Sequence, residues 1–286
     1  MSNPQPPMTW EEFQELEAAL PGRRIAWGNE ERAYGELRLP EGPGPHSVGV
    51  LVHGGCWSSI ADLGYLGHLA EALCAQGWAT WSPEFRRTDD AGGDWPSTLH
   101  DVGRGLDYLR VLAEAHPINL AQVVTIGHSS GGHLALWLAA RPGLPDSEQA
   151  RPLRGEAPLA VRGVVGLAPI SDLLDFNERE TSGCPPTSVA DLLGGDPGEH
   201  ADRVHLADPA ARLPLGVPQL LLTGALDATV PPEHVRIYGD RARAAGDVVS
   251  IVEIDGAGHF EVVAPGHPTW GDTAAHLHAF LGRMEG

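Results

Sequence analysis

Residues 122–140 run QVVTIGHSSGGHLALWLAA. Gln122 to Gly127 is a short, largely apolar run, as expected for a central strand covered on both faces. Ser130 to Arg141 reads as a helix, and between the two lies Gly127-His128-Ser129-Ser130-Gly131, a match to G-x-S-x-G. The context carries more weight than the pattern. A nucleophile elbow needs a strand, a sharp strained turn and a helix, so that the serine hydroxyl is lifted above the sheet edge while flanking glycines let backbones approach. The start of the helix also offers free N–H groups and the positive end of its dipole to a developing oxyanion. Ser129 is therefore the expected nucleophile.

Outward from this segment, short apolar runs alternate with longer amphipathic ones. Strands are expected at 47–52, 78–82, 161–168, 219–223 and 248–254, and helices at 60–76, 97–115, 233–245 and 272–284. That alternation predicts β-α-β units in a doubly wound, mostly parallel α/β sheet with helices on both faces. A single domain over residues 1–286 suits this length. Two regions break the rhythm. Residues 1–34 form an N-terminal extension with one helix near 9–19, opened by a Thr9/Glu12 capping box. Residues 171–213 are a long Pro- and Gly-rich connection, of a length usually reserved for function, and are expected to form a small cap over the site.

Composition narrows the chemistry. The chain has 38 acidic and 19 basic residues, a formal charge of −19, and all of its basic residues are arginine. Without lysine, Schiff-base and pyridoxal-phosphate mechanisms are excluded. So acidic a surface predicts no nucleic-acid and no membrane partner. Cys56, Cys74 and Cys184 look too few and too scattered for a disulfide framework or a zinc site, and no metal motif is present, so no metal and no cofactor are expected. No signal peptide and no run of about 18 apolar residues is visible, which makes a cytoplasmic location the expectation.

A second motif, His53-Gly54-Gly55-Cys56-Trp57, follows the strand at 47–52. With it the chain resembles the α/β-hydrolase esterases that carry H-G-G-x-W, a form shared by kynurenine formamidases and several small carboxylesterases. The resemblance spans about residues 50 to 259. It implies that this loop and the residue after the nucleophile form the oxyanion hole, here through the N–H groups of Gly55, Cys56 and Ser130. His53 is read as a structural brace, and Cys56 is rejected as a nucleophile because the serine holds the elbow. The family order Ser, acid, His points to Gly258-His259-Phe260 for the base, ahead of His267, His276 and His278. It points to Asp227, after the strand at 219–223, for the acid, ahead of Asp172 and Asp255. Among nearby aromatics Trp57 and Phe176 are expected to line the substrate pocket, while Phe85, Trp95 and Phe260 are read as packing. Glu84 to Arg87 is either a substrate contact or an ion-pair cluster.

These residues predict a serine hydrolase cleaving small to medium acyl or aryl esters through an acyl-enzyme on Ser129. Its expected partner is a small-molecule ester or amide, and a homo-oligomer is left open. An arylformamidase is the near alternative. A non-catalytic binding protein on the same fold is the alternative of another class, and would be expected to lack one of these groups.

Overall fold

The computed structural model describes residues 6–16, 18–179 and 182–284. Its centre is one eight-stranded sheet: β1 (Arg23–Ala26), β2 (Tyr34–Arg38), β3 (His46–Val52), β4 (Ala79–Pro83), β5 (Ile118–His128), β6 (Gly163–Leu167), β7 (Gln219–Gly224) and β8 (Val249–Ile254). The spatial order is β1-β2-β4-β3-β5-β6-β7-β8. From β4 to β8 every pairing is parallel; β1 and β2 add an antiparallel edge. Neither of these two strands is visible as an apolar run, because each is short, polar and only partly covered.

Alternate side chains of each central strand enter different cores. Val48, Val50 and Val52 face one and Leu51 the other; Leu221 faces the first, Leu220 and Leu222 the second. The first core is closed by helices Ser97–Asp107, Ser130–Ala140 and Pro232–Ala244, the second by Gly67–Ala75 and Trp270–Met284. A sheet buried on both faces is why its central strands read as continuous apolar runs. Every residue of helix Ser130–Ala140 is buried, so it needs no polar face. Among the described residues no helix is long and apolar enough to cross a membrane.

After β3 the chain moves to β4 on one side and then to β5 on the other. The reversal leaves a crevice above the carboxyl ends of β3 and β5, where ligands of open α/β sheets bind. The HGG loop leaves β3 there and the elbow leaves β5.

The insertion at 171–213 folds into short helices, Leu173–Asn177, Ser188–Leu193 and Ala201–Ala207, whose apolar side chains join the first core. Cys184 within it is disulfide-bonded to Cys56, with Cα atoms 5.6 Å apart across a sequence separation of 128. In the sequence the cysteines look too few and too scattered for a disulfide framework, and this bridge corrects that expectation for Cys56 and Cys184. Separation along the chain says nothing about separation in space, and the insertion returns Cys184 to the HGG loop. Cys74 remains free.

Candidate active site

Ser129 sits between β5 and its helix at φ 56°, ψ −125°, a conformation strained for any residue with a side chain. The strain is held by the surroundings. Its N–H donates to the Leu167 carbonyl at 3.0 Å, and its own carbonyl accepts from Ile170 at 3.1 Å. The flanking glycines are required sterically: a Cβ on Gly127 would lie 2.0 Å from the Gly131 oxygen, and one on Gly131 2.1 Å from the Val52 oxygen. The close approach of elbow and HGG loop depends on both.

The HGG loop runs through positive φ at three successive residues, Gly55 (106°), Cys56 (54°) and Trp57 (58°). The Trp57 N–H donates to Ser130 Oγ at 3.3 Å, tying the loop to the elbow. The N–H groups of Gly55 and Cys56 donate to no acceptor among the described residues. His53 braces the loop from below, with Nδ1 at 2.8 Å from the Gly54 carbonyl and Nε2 at 3.0 Å from Glu84 Oε1. Phe85 stacks on the His53 ring, centroids 4.3 Å apart. Burial of Glu84 raises its carboxyl pKa, but His53, the Phe85 N–H and Arg87 outweigh that and hold it below the usual carboxylate range. Glu84, Arg86 and Arg87 thus form ion pairs, with His53, Asp101 and Asp90 respectively, and none of them borders the cavity.

His259 Nδ1 lies 2.7 Å from Asp227 Oδ2, and Asp227 Oδ1 accepts the N–H groups of Thr229 and Val230, each at 2.8 Å. The competing residues lie elsewhere. Asp172 caps a helix and pairs with Arg241; Asp255, His276 and His278 are exposed; His267 bonds to Thr269.

His128, the second residue of the elbow motif, supports His259 from beneath. Its Nε2 is 2.8 Å from the His259 carbonyl, which can only accept, so Nε2 carries the proton and Nδ1 is the acceptor. Tyr65 Oη, 2.5 Å from Nδ1, is then the donor. Burial, reinforced by the neighbouring His259, holds the His128 pKa well below the usual histidine value, and the ring stays neutral.

Ser129, His259, Gly55 and Cys56 all border one cavity of about 440 Å³. Its remaining walls are largely apolar: Ile60, Tyr65, Leu226 and Phe260, with Met8 and Trp10 from the N-terminal segment. The insertion contributes Ser182 and Gly183. Ser130 is fully buried behind the elbow.

Two expected pocket residues are placed outside this cavity. Trp57 is buried, its Nε1 donating to His133 Nδ1 at 3.2 Å, because positive φ turns its side chain into the core beneath the loop. Phe176 lies against a separate recess beside Pro185 and Val189, its edge against His234. Phe260, read as packing, is a cavity wall. Tyr65 and Trp10 carried no motif; the Thr9/Glu12 capping box was the one local signal, since it fixes the turn that presents Trp10.

Comparison with known proteins agrees with this fold. The chain superposes on a bifunctional GH43-CE protein of Bacteroides eggerthii with TM-score 0.75 and 22% identity, covering 92% of this chain and 38% of that one. It superposes on the thermophilic esterase Est2 of Thermogutta terrifontis, solved with butyrate bound, with TM-score 0.74 and 19% identity over 92% and 94% of the two chains. For an acetyl ester-xyloside bifunctional hydrolase of Caldicellulosiruptor lactoaceticus the values are 0.74 and 16%, over 93% and 98%. At these identities the likeness is one of fold. No curated protein matches the sequence. Residues 37–239, well over half of the chain, match the BD-FAE family. The chain belongs to the BD-FAE family of α/β-hydrolase esterases.

Proposed function

We propose that this esterase cleaves neutral carboxylic esters of small to medium acyl or aryl groups through an acyl-enzyme on Ser129. The observation that carries the reading is the His259–Asp227 contact of 2.7 Å beside a strained Ser129, with all of this opening into one apolar cavity. His259 Nε2 takes the proton of Ser129 Oγ as that oxygen attacks the ester carbonyl carbon. Asp227 fixes the tautomer and stabilises the imidazolium. The N–H groups of Gly55, Cys56 and Ser130 receive the charge that moves onto the carbonyl oxygen. When the intermediate collapses, His259 returns the proton to the departing alcohol. Water, activated by the same imidazole, then releases the acid and restores Ser129.

Among the described residues the cavity lining carries no Asp, Glu or Arg. An amino-acid formamide such as N-formylkynurenine would bring a carboxylate and an ammonium into that lining unpaired, at a cost in affinity. The arylformamidase alternative is therefore disfavoured. The presence of every catalytic group argues against a non-catalytic binding protein. The Cys56–Cys184 disulfide supports an oxidising compartment over the cytoplasmic location expected from the sequence.

The test is turnover of p-nitrophenyl acetate, p-nitrophenyl octanoate and N-formylkynurenine by the protein and its Ser129→Ala variant. Ester turnover that the variant loses by at least ~10⁴-fold, with negligible deformylation, is expected. Deformylation faster than ester cleavage would reassign the protein.

A further inference from the structure

One wall of the cavity is not built by the sheet. Pro7 to Trp10 line it, and this strap is fixed at both ends of its contact. The Met8 N–H donates to Glu261 Oε1 at 2.6 Å, and Glu261 is buried two residues beyond His259. Pro7 lies close against Gly258, where an added Cβ would sit 2.5 Å from Pro7 Cβ. The capping box then turns the chain into helix Trp10–Gln14. The Trp10 ring stacks on Tyr65 with centroids 5.8 Å apart and stands 5.7 Å from Phe260, so one side chain spans the two walls. Phe13 supports it from behind, 5.0 Å from Tyr65 and 5.1 Å from Phe260. At the cavity margin Ile60 and Leu226 are about half exposed, which makes the margin apolar too.

We infer that the Pro7–Trp10 strap sets the length of the apolar group this enzyme accepts, with Trp10 as the specificity-determining residue. This rests on the ester-hydrolase reading above and adds to it the size limit and the side chain that imposes it. A large, rigid aromatic wedged between two walls closes the cavity at a fixed depth. Replacing it with a small side chain opens space lined by apolar groups, where each extra methylene of a substrate can leave water. Burying one CH₂ contributes about 0.8 kcal/mol, close to fourfold in kcat/KM per methylene.

Trp10→Ala and the milder Trp10→Leu decide it, assayed against the unaltered protein on two series: p-nitrophenyl esters from acetate to octanoate, and acetate esters from methyl to octyl. The ratio of kcat/KM for the longest to the shortest member should rise at least tenfold in one series for Trp10→Ala, and by less for Trp10→Leu. The series that moves identifies the group lying against the strap. Should Trp10→Ala fold poorly, Trp10→Leu carries the test with a threefold threshold. Ratios unchanged within twofold in both series, with acetate turnover retained, overturn the inference but leave the esterase reading intact. No ester turnover by the unaltered protein overturns both.

Discussion

At the level of single residues the site is governed by which atoms are forced to donate. The His259 carbonyl can only accept, so His128 must carry its proton on Nε2 and must accept from Tyr65 on Nδ1. The consequence is a neutral imidazole packed 4.6 Å, centroid to centroid, from the His259 ring, which becomes cationic during turnover in the proposed mechanism. A charged His128 would oppose that step; a neutral one does not. Tyr65→Phe keeps the ring in the cavity wall and deletes only the hydroxyl, leaving a buried acceptor unpaired at a cost of about 1–3 kcal/mol. It is expected to lower kcat by about tenfold, because the His259 loop loses its anchor, with KM changed by less than about twofold. A lower Tm with unchanged kcat would make the Tyr65–His128 pair a packing feature only. None of this was legible in the sequence beyond the motif, where His128 stood as an unspecified residue beside the serine. That Asp227 meets His259, and that Ser129 borders the same cavity as His259, was legible because strand ends and chain order constrain all three. Trp57 and Phe176 were misjudged because motif position does not reveal the direction in which a side chain points.

At the level of elements the unexpected feature is the covalent link between the HGG loop and the insertion. Cys56 holds a left-handed conformation in the HGG loop, and Cys184 follows Ser182 and Gly183 in the cavity wall. The bridge therefore fixes two sides of the cavity relative to each other. Closing a loop across a separation of 128 residues stabilises the folded state by an estimated ~5 kcal/mol from the chain-entropy account alone. Cys184→Ser should lower Tm and reduce kcat severalfold, and incubation of the unaltered protein with dithiothreitol should do the same reversibly. A variant with unaltered Tm and kcat would show that the loop holds its shape without the bridge. The sequence could not pair these cysteines, since pairing depends on how residues 171–213 fold back. Most of the insertion's apolar side chains join the first core, while Ser182 and Gly183 share the cavity lining with the N-terminal strap.

At the level of the whole molecule the fold was legible because a parallel sheet must be covered on both faces. That requirement produces the apolar runs of β3, β5, β6 and β7 and the helices between them. The antiparallel pair β1 and β2 escaped notice because these short strands are only partly covered and carry polar side chains. The topology then places the site: the chain reverses direction across the sheet at β3, and the two loops that leave β3 and β5 meet above it. Asp227 and His259 arrive from the ends of β7 and β8, so four strand ends converge on one cavity. In the proposed mechanism this convergence makes Ser129 the nucleophile. The Thermogutta esterase of similar fold has been solved phosphorylated by paraoxon. The direct measurement here is treatment with paraoxon, followed by mass spectrometry of the peptide carrying Ser129 alongside residual ester turnover. One diethylphosphoryl group per chain on Ser129, with activity lost in proportion and no adduct in Ser129→Ala, is the predicted result. Loss of turnover with the group on another residue, or full turnover in Ser129→Ala, would contradict it.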